Sequence, residues 1–112
     1  MNHEHFRQVH AIVEESNRLA KYLGEKLGYA NAIDPLYLEC NKLWQAHFPE
    51  SKGWGKRLHL DLSGADFSGA LFACGIGSLK GANFRGANLD RTRWLHVRLG
   101  KADFMHASLS YT

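Results

Sequence analysis

Leu60-Asp61-Leu62-Ser63-Gly64, Ala65-Asp66-Phe67-Ser68-Gly69 and Ala70-Leu71-Phe72-Ala73-Cys74 are consecutive blocks of five in which small, polar and large apolar residues return at the same places. After a slip of two residues the frame resumes with Gly77-Ser78-Leu79-Lys80-Gly81, Ala82-Asn83-Phe84-Arg85-Gly86 and Ala87-Asn88-Leu89-Asp90-Arg91. It continues with Thr92, Val97, Ala102 and Ala107 as first residues, which makes ten units. Every central residue is large and apolar: Leu62, Phe67, Phe72, Leu79, Phe84, Leu89, Trp94, Leu99, Phe104 and Leu109. The first residues are mostly Ala, otherwise Leu, Gly, Thr or Val.

A period of five matches neither the two-residue alternation of a strand nor the 3.6-residue turn of a helix, so either element would smear these apolar residues around its circumference. A chain that turns a corner every five residues resolves the conflict. Each unit then sends one small and one large side chain inward, and stacked turns pair their backbones at about 4.8 Å.

In these blocks the sequence resembles the pentapeptide-repeat family, whose pattern is Ala-Asp/Asn-Leu/Phe-x-x. The likeness covers residues 60 to 109. It implies a short right-handed quadrilateral β-helix, here of about two and a half coils; with the N-terminal helical segment of two helices read from the residues ahead of the repeat, the expected chain is α+β. Residues 1–57 would form the helical cap and connection, and 58–112 the solenoid. Three departures from the pattern stand out. The slip across Cys74-Gly75-Ile76-Gly77 is expected to bulge a corner, using the backbone freedom of its glycines. Trp94 exceeds the usual central residue, and Thr92 and Val97 exceed Ala, so the third and fourth sides should be crowded or widened there.

Ahead of the repeat, Phe6, Val9, Val13, Ser16, Ala20, Leu23 and Leu27 recur at spacings of three and four, one stripe of a long helix that Gly28 would stop. Asp34-Pro35 reads as an N-cap and first-turn proline opening a second helix through about His47, with Leu36, Cys40, Leu43, Trp44 and His47 on one side and Phe48-Pro49 as its end. Residues 50 to 57, around Trp54, would connect the helices to the coil. The apolar stripe is expected to pack on the second helix and on the open N-terminal end of the solenoid, where stacked backbone otherwise lacks partners. A self-association helix is the other reading.

The chain has 112 residues, 45% of them hydrophobic, with 14 Lys and Arg against 11 Asp and Glu for a formal charge of +3. That is one ordinary small core with a mixed surface, not a dense cationic footprint. With no signal-like terminus and no long apolar run, a cytoplasmic protein without membrane contact is expected, its Cys40 and Cys74 as free thiols.

The seven histidines share no ligand spacing; His3-x-His5 falls at a terminus expected to fray, and His10, His47, His59, His96 and His106 are dispersed. No zinc-type pair, phosphate loop or nucleophile elbow occurs, so no metal, cofactor, small-molecule substrate or catalysis is expected.

With four units per coil, units four apart share a side. Asp61, Ser63, Asn83, Arg85, Asp103 and Met105 fall on the first side, and Asp66, Ser68, Asn88, Asp90, Ser108 and Ser110 on the second. Leu71, Arg93, Leu95, Ser78, Lys80 and Arg98 face outward on the third and fourth, with Arg91 and Lys101 at corners. The surface is therefore dipolar.

The family resemblance implies binding, since pentapeptide-repeat proteins with assigned roles often imitate duplex DNA toward enzymes that grip it, DNA gyrase among them, and the fold also occurs among small phage inhibitors of CRISPR defence. A stack on the order of 12 Å and a net positive repeat suit a small local plug better than a long gyrase-type mimic. The expected role is thus a non-enzymatic inhibitor of a bacterial DNA-handling complex, a CRISPR effector or alternatively gyrase, bound through Asp61, Asp66, Asp90 and Asp103. The competing readings are direct nucleic-acid binding through Lys80, Arg91, Arg93, Arg98 and Lys101, and a general interaction scaffold. The last coil near Thr112 is expected to present a backbone edge, suited to a homodimer unless Met105, His106 and Tyr111 cover it.

Overall fold

The computed structural model describes residues 1–49, 58–73 and 79–110. The slip across Cys74 to Gly77, the connection carrying Trp54, and Ser78 and Tyr111 lie outside the described residues. Four elements are present among the described residues: α1 (His3–Leu27), α2 (Tyr29–His47), β1 (Leu71–Ala73) and β2 (Arg93–Leu95). None of the described helices is long and apolar enough to cross a membrane.

The backbone register displays the coil. Asp61 pairs with Asn83 and Asn83 with Asp103; Asp66 pairs with Asn88 and Asn88 with Ser108, all in parallel. β1 pairs with β2 in parallel, Phe72 opposite Trp94. Stacked positions are thus 22 residues apart over the first turn, as from Asp61 to Asn83, and 20 over the second, as from Asn83 to Asp103. Twenty residues are four sides of five. The two extra residues of the first turn are the slip, since the Leu71–Arg93 register already includes them. Sides one and two are three levels deep and side three is two levels deep, which is two and a half turns. Among the described residues, regular strand is confined to β1 and β2, of three residues each. Sides one and two join by single bridges, because a corner every five residues leaves little extended backbone between corners.

Two local devices make the corners, the second of them in five units of sides one and two. The fifth residue of the unit has positive φ, between 67° and 73° at Gly64, Gly69, Gly81 and Gly86 and between 53° and 62° at Arg91, His96, Lys101 and His106, and His59, just ahead of the first unit, shares it at 50°. The second residue accepts the backbone N–H of the fourth: Asp61 from Ser63 at 3.2 Å, Asp66 from Ser68 at 3.0 Å, Asn83 from Arg85 at 3.0 Å, Asn88 from Asp90 at 3.1 Å and Asp103 from Met105 at 3.0 Å. This turn-closing bond is the physical reason for Asp or Asn at the second position.

Inside, central residues stack in columns. Trp94 lies on Phe72 with centroids 4.5 Å apart and rings 13° from parallel, and Phe104 lies on Phe84 at 5.2 Å and 2°. The two columns meet edge to face, as between Phe72 and Phe84 at 86°. Thr92 is accommodated by bonding: its hydroxyl donates to the Leu89 carbonyl at 2.8 Å and accepts the Trp94 indole N–H at 2.8 Å. The inward residues of the first turn are buried, whereas Trp94, Leu99 and Phe104 are partly exposed and Leu109 is 45% exposed.

The helices close the first coil as the stripe predicts, with Val9, Ile12, Val13, Trp44 and Phe48 sharing one core with Leu60, Phe67 and Phe72. Ile12 joins that buried face, and Leu27 at its far end is exposed. Three expectations are corrected. The N-terminus is docked, not frayed: Asn2 caps α1 by accepting the His5 N–H, the Asn2 N–H donates to the Asp61 carbonyl at 3.1 Å, and the Asp61 N–H donates to His5 Nδ1 at 3.1 Å. These bonds occupy the edge of side one as another strand would.

The second correction is the start of α2. Asp34 does not cap it; Gly28, at φ 80° and ψ 147°, ends α1 and begins α2, leaving Pro35 inside the helix. A proline there costs on the order of 3 kcal/mol, and the burial of Ala32 and Leu36 on either side of it holds the extra turn in place. The third concerns Leu71, which the repeat faces outward into solvent and which is only 2% exposed. The helices do not stop at the open end: Leu36 and Cys40 of α2 pack with Leu71 and Ala73 on the outer wall of side three. Burial there pushes the Cys40 thiol up, so it is protonated and shielded.

Candidate partner-binding surface

The acidic set divides in two. On side one, Asp61 lies under the N-terminus of α1, its carboxylate 3.7 Å from the terminal ammonium and accepting from the Ser63 hydroxyl at 2.7 Å. Asp103 receives the Arg85 guanidinium at 2.5 Å one turn away. Both carboxylates are thus ion-paired, Asp61 to the N-terminus and Asp103 to the neighbouring turn. On side two, Asp66 and Asp90 have no ion pair among the described residues, and both are solvent-accessible.

All four carboxyls sit below the usual carboxylate range. Hydrogen bonds are the leading cause in each case: from the Ser63 hydroxyl and amide at Asp61, from Ser68 at Asp66, from the Ser108 hydroxyl and Ser110 amide at Asp90, and from the Met105 amide and Arg85 at Asp103. Asp66 and Asp90 are close enough for their charges to repel, yet the bonds outweigh that repulsion. Both remain ionised at neutral pH, forming a small fixed negative patch.

The basic residues lie elsewhere. Arg91, His96, Lys101 and His106 take four successive corners of the last turn, all at positive φ and all exposed. Arg93 stands on the outer face of β2, its guanidinium 3.5 Å from Asn17 Oδ1 of α1. Arg98 is exposed on side four and Lys80 lies partly buried on the same side one turn earlier. Two histidines link the helices to the coil: His5 of α1 accepts the Asp61 N–H, and His96 of the coil lies 4.7 Å from the Tyr37 ring of α2. Among the described residues no group of three His, Cys, Asp or Glu side chains could hold a metal ion.

Residues 78–112 match the family model of pentapeptide repeats, in eight copies. The chain carries pentapeptide repeats. The register shows that the repeat extends upstream of the matched stretch, since Asp61, Asp66 and Leu71 stack on Asn83, Asn88 and Arg93. No curated protein and no solved structure matches the chain. Pentapeptide-repeat proteins are often protein-interaction modules, and the fold is generally structural and not enzymatic. The convex walls of this solenoid, with their turn-closing polar residues, agree with that role.

Sequence reasoning groups the four Asp by side but does not separate the ion-paired Asp61 and Asp103 from Asp66 and Asp90. The Asp-x-Ser spacing at Asp61 and Asp66 marks the turn-closing role in the sequence. The Arg85–Asp103 pair follows from the 20-residue coil. The clasp of Asp61 by the N-terminus required the tertiary structure.

Proposed function

We propose that this pentapeptide-repeat chain is a non-enzymatic protein-binding inhibitor that presents side two of its solenoid to a basic, DNA-contacting groove of a bacterial DNA-handling complex. A CRISPR effector suits its short stack better than gyrase does. The observation that carries the reading is the pair Asp66 and Asp90, held ionised on one wall by hydrogen bonds and without an ion pair among the described residues, with Arg91 at the adjoining corner adding to the ionisation of Asp90. Fixed carboxylates of this kind stand in for phosphates and steer encounter electrostatically.

Asp66→Asn combined with Asp90→Asn tests it, because Asn closes the turn at positions 83 and 88 as Asp66 does at its own, and an amide oxygen at position 90 can still accept the Ser108 hydroxyl and the Ser110 N–H. The measurement is competition with DNA for a purified RNA-guided effector and for gyrase. The wild-type chain is expected to displace DNA without binding it, and the double variant to lose about tenfold in affinity, roughly 1.4 kcal/mol, along with most of the salt dependence. Undiminished competition by the variant overturns the reading.

A second reading rests on the four basic or imidazole corners of the last turn. Direct nucleic-acid binding through Arg91 and Lys101, with Arg93, Arg98 and Lys80 on the adjoining sides, predicts an affinity for duplex DNA that falls steeply with salt. Arg91→Glu with Lys101→Glu would abolish it. Self-association is proposed at the apolar hollow formed by Trp94, Leu99, Phe104 and Leu109. Sedimentation of Leu109→Asp checks this, with loss of any concentration-dependent dimer expected and a persisting dimer placing the interface elsewhere.

A further inference from the structure

Where α1 and α2 meet the outer wall of side three they leave a cleft of about 450 Å³. Its floor is apolar: Ala20 from α1, Ala32 and Leu36 from α2, and Leu71 and Leu95 from the two strands. Two cations stand among the lining residues, Lys21 and Arg93, and no carboxylate does. Their placement follows from the fold. The parallel pairing sets Arg93 beside Leu71, so an outward arginine rises directly next to the buried leucine. Its guanidinium is drawn to Asn17, which precedes Lys21 by one helical turn and therefore shares its face of α1. Lys21 has no hydrogen-bond or ion-pair partner among the described residues. Apolar walls with a few convergent polar groups at one edge, at a junction of elements, are the usual make-up of a small-molecule site, and this volume falls in the usual size range.

We propose that this cleft binds a small amphiphilic anion, an apolar body carrying one carboxylate or phosphate head, with the head held between Lys21 and Arg93 and the body laid over Ala20, Ala32 and Leu95. Charge complementarity selects the class: a neutral apolar molecule would leave the two cations without a counter-charge, and a cationic amphiphile would be repelled by both. Arginine is the side chain best matched to a planar or tetrahedral oxyanion, and the lysine adds a mobile second donor. The site is separate from the Asp66 and Asp90 patch, so it stands or falls independently of the inhibitor reading.

The test is a titration of the full chain with decanoate, decyl phosphate, decanol and decyltrimethylammonium, followed by amide and side-chain NMR shifts. Saturable shifts at Asn17, Lys21, Ala32 and Leu95 are expected with either anion, and the tighter of the two assigns the head group. Decanol is expected to bind at least about tenfold more weakly, a difference of roughly 1.4 kcal/mol. Lys21→Gln with Arg93→Gln, at two exposed positions, should bring the anions down to the decanol level without changing decanol. Ala20→Leu should fill the floor and abolish all of these shifts while the rest of the spectrum is retained. Equal binding of the cation and the anions, anion binding undiminished in the double variant, or saturable shifts confined to other residues would overturn the proposal, as would no saturable binding by either anion.

Discussion

Thr92 opens its unit where the repeat favours Ala, and its replacement gives the most direct test of how the core is held together. Its side chain is 2% exposed, and its hydroxyl links the Leu89 carbonyl to the Trp94 indole, each at 2.8 Å. Thr92→Val preserves the shape and removes both bonds. The Leu89 carbonyl keeps the Thr92 backbone N–H at 3.3 Å, so most of the loss falls on the indole donor. Trp94 is only partly buried, which puts the cost at the lower end for an orphaned donor, about 1–2 kcal/mol. Thr92→Ala, which restores the repeat pattern, also removes a buried methyl and should cost about 1 kcal/mol more. Urea unfolding midpoints give these values, and a double-mutant cycle with Trp94→Phe should return a coupling of about 1 kcal/mol. The rival account, that a buried Val simply exceeds Thr in hydrophobic stabilisation, predicts a more stable Thr92→Val and no coupling. Either result refutes the hydrogen-bond reasoning.

Two further outcomes are expected. Gly64 and Gly100 both have open space where a Cβ would stand, but only Gly64 has positive φ, at 70°. Gly64→Ala should therefore destabilise by about 1 kcal/mol, and Gly100→Ala should be neutral or stabilise by up to about 1 kcal/mol in the same unfolding assay; equal effects would remove the corner argument. The pH dependence follows from the four depressed aspartates. A carboxyl with a folded pKa below its unfolded value contributes stability that is fully present above the unfolded value, about 3.9, and is lost as pH falls through the folded one. Urea midpoints should thus hold level from pH 7 to 5 and fall below about pH 4, and a midpoint that rises on acidification would contradict the hydrogen-bonded carboxylates.

The solenoid is legible in the sequence because its constraint is local. Each five-residue unit must place one large side chain inward and close its own corner, so Leu62, Phe67 and their successors, with Asp or Asn at the second position, appear in the linear text. The slip before Leu79 is legible for the same reason, and it reappears as 22 residues between Leu71 and Arg93 in place of 20. The start of α2 is not legible in this way, because Asp34-Pro35 carries a strong local signal that the burial of Ala32 against the rest of the fold outweighs.

What the amino-acid order determined by itself was the repeat, the coil it builds, the presence of two helices and the residues of the inner columns. Tertiary structure alone decided which outward residues are free. Asp61 and Asp66 occupy equivalent places in adjacent units, yet one is paired with the chain's N-terminus at the start of α1 and the other has no ion pair among the described residues. Leu71 and Arg93 are likewise equivalent, and the docking of α2 buries the first while leaving the second at the edge of a cleft. A periodic sequence treats all such positions alike, because its signal comes from each unit's own corner and core. The helices break that equivalence by covering one end and one wall, and their docking is a long-range packing choice that no five-residue unit encodes.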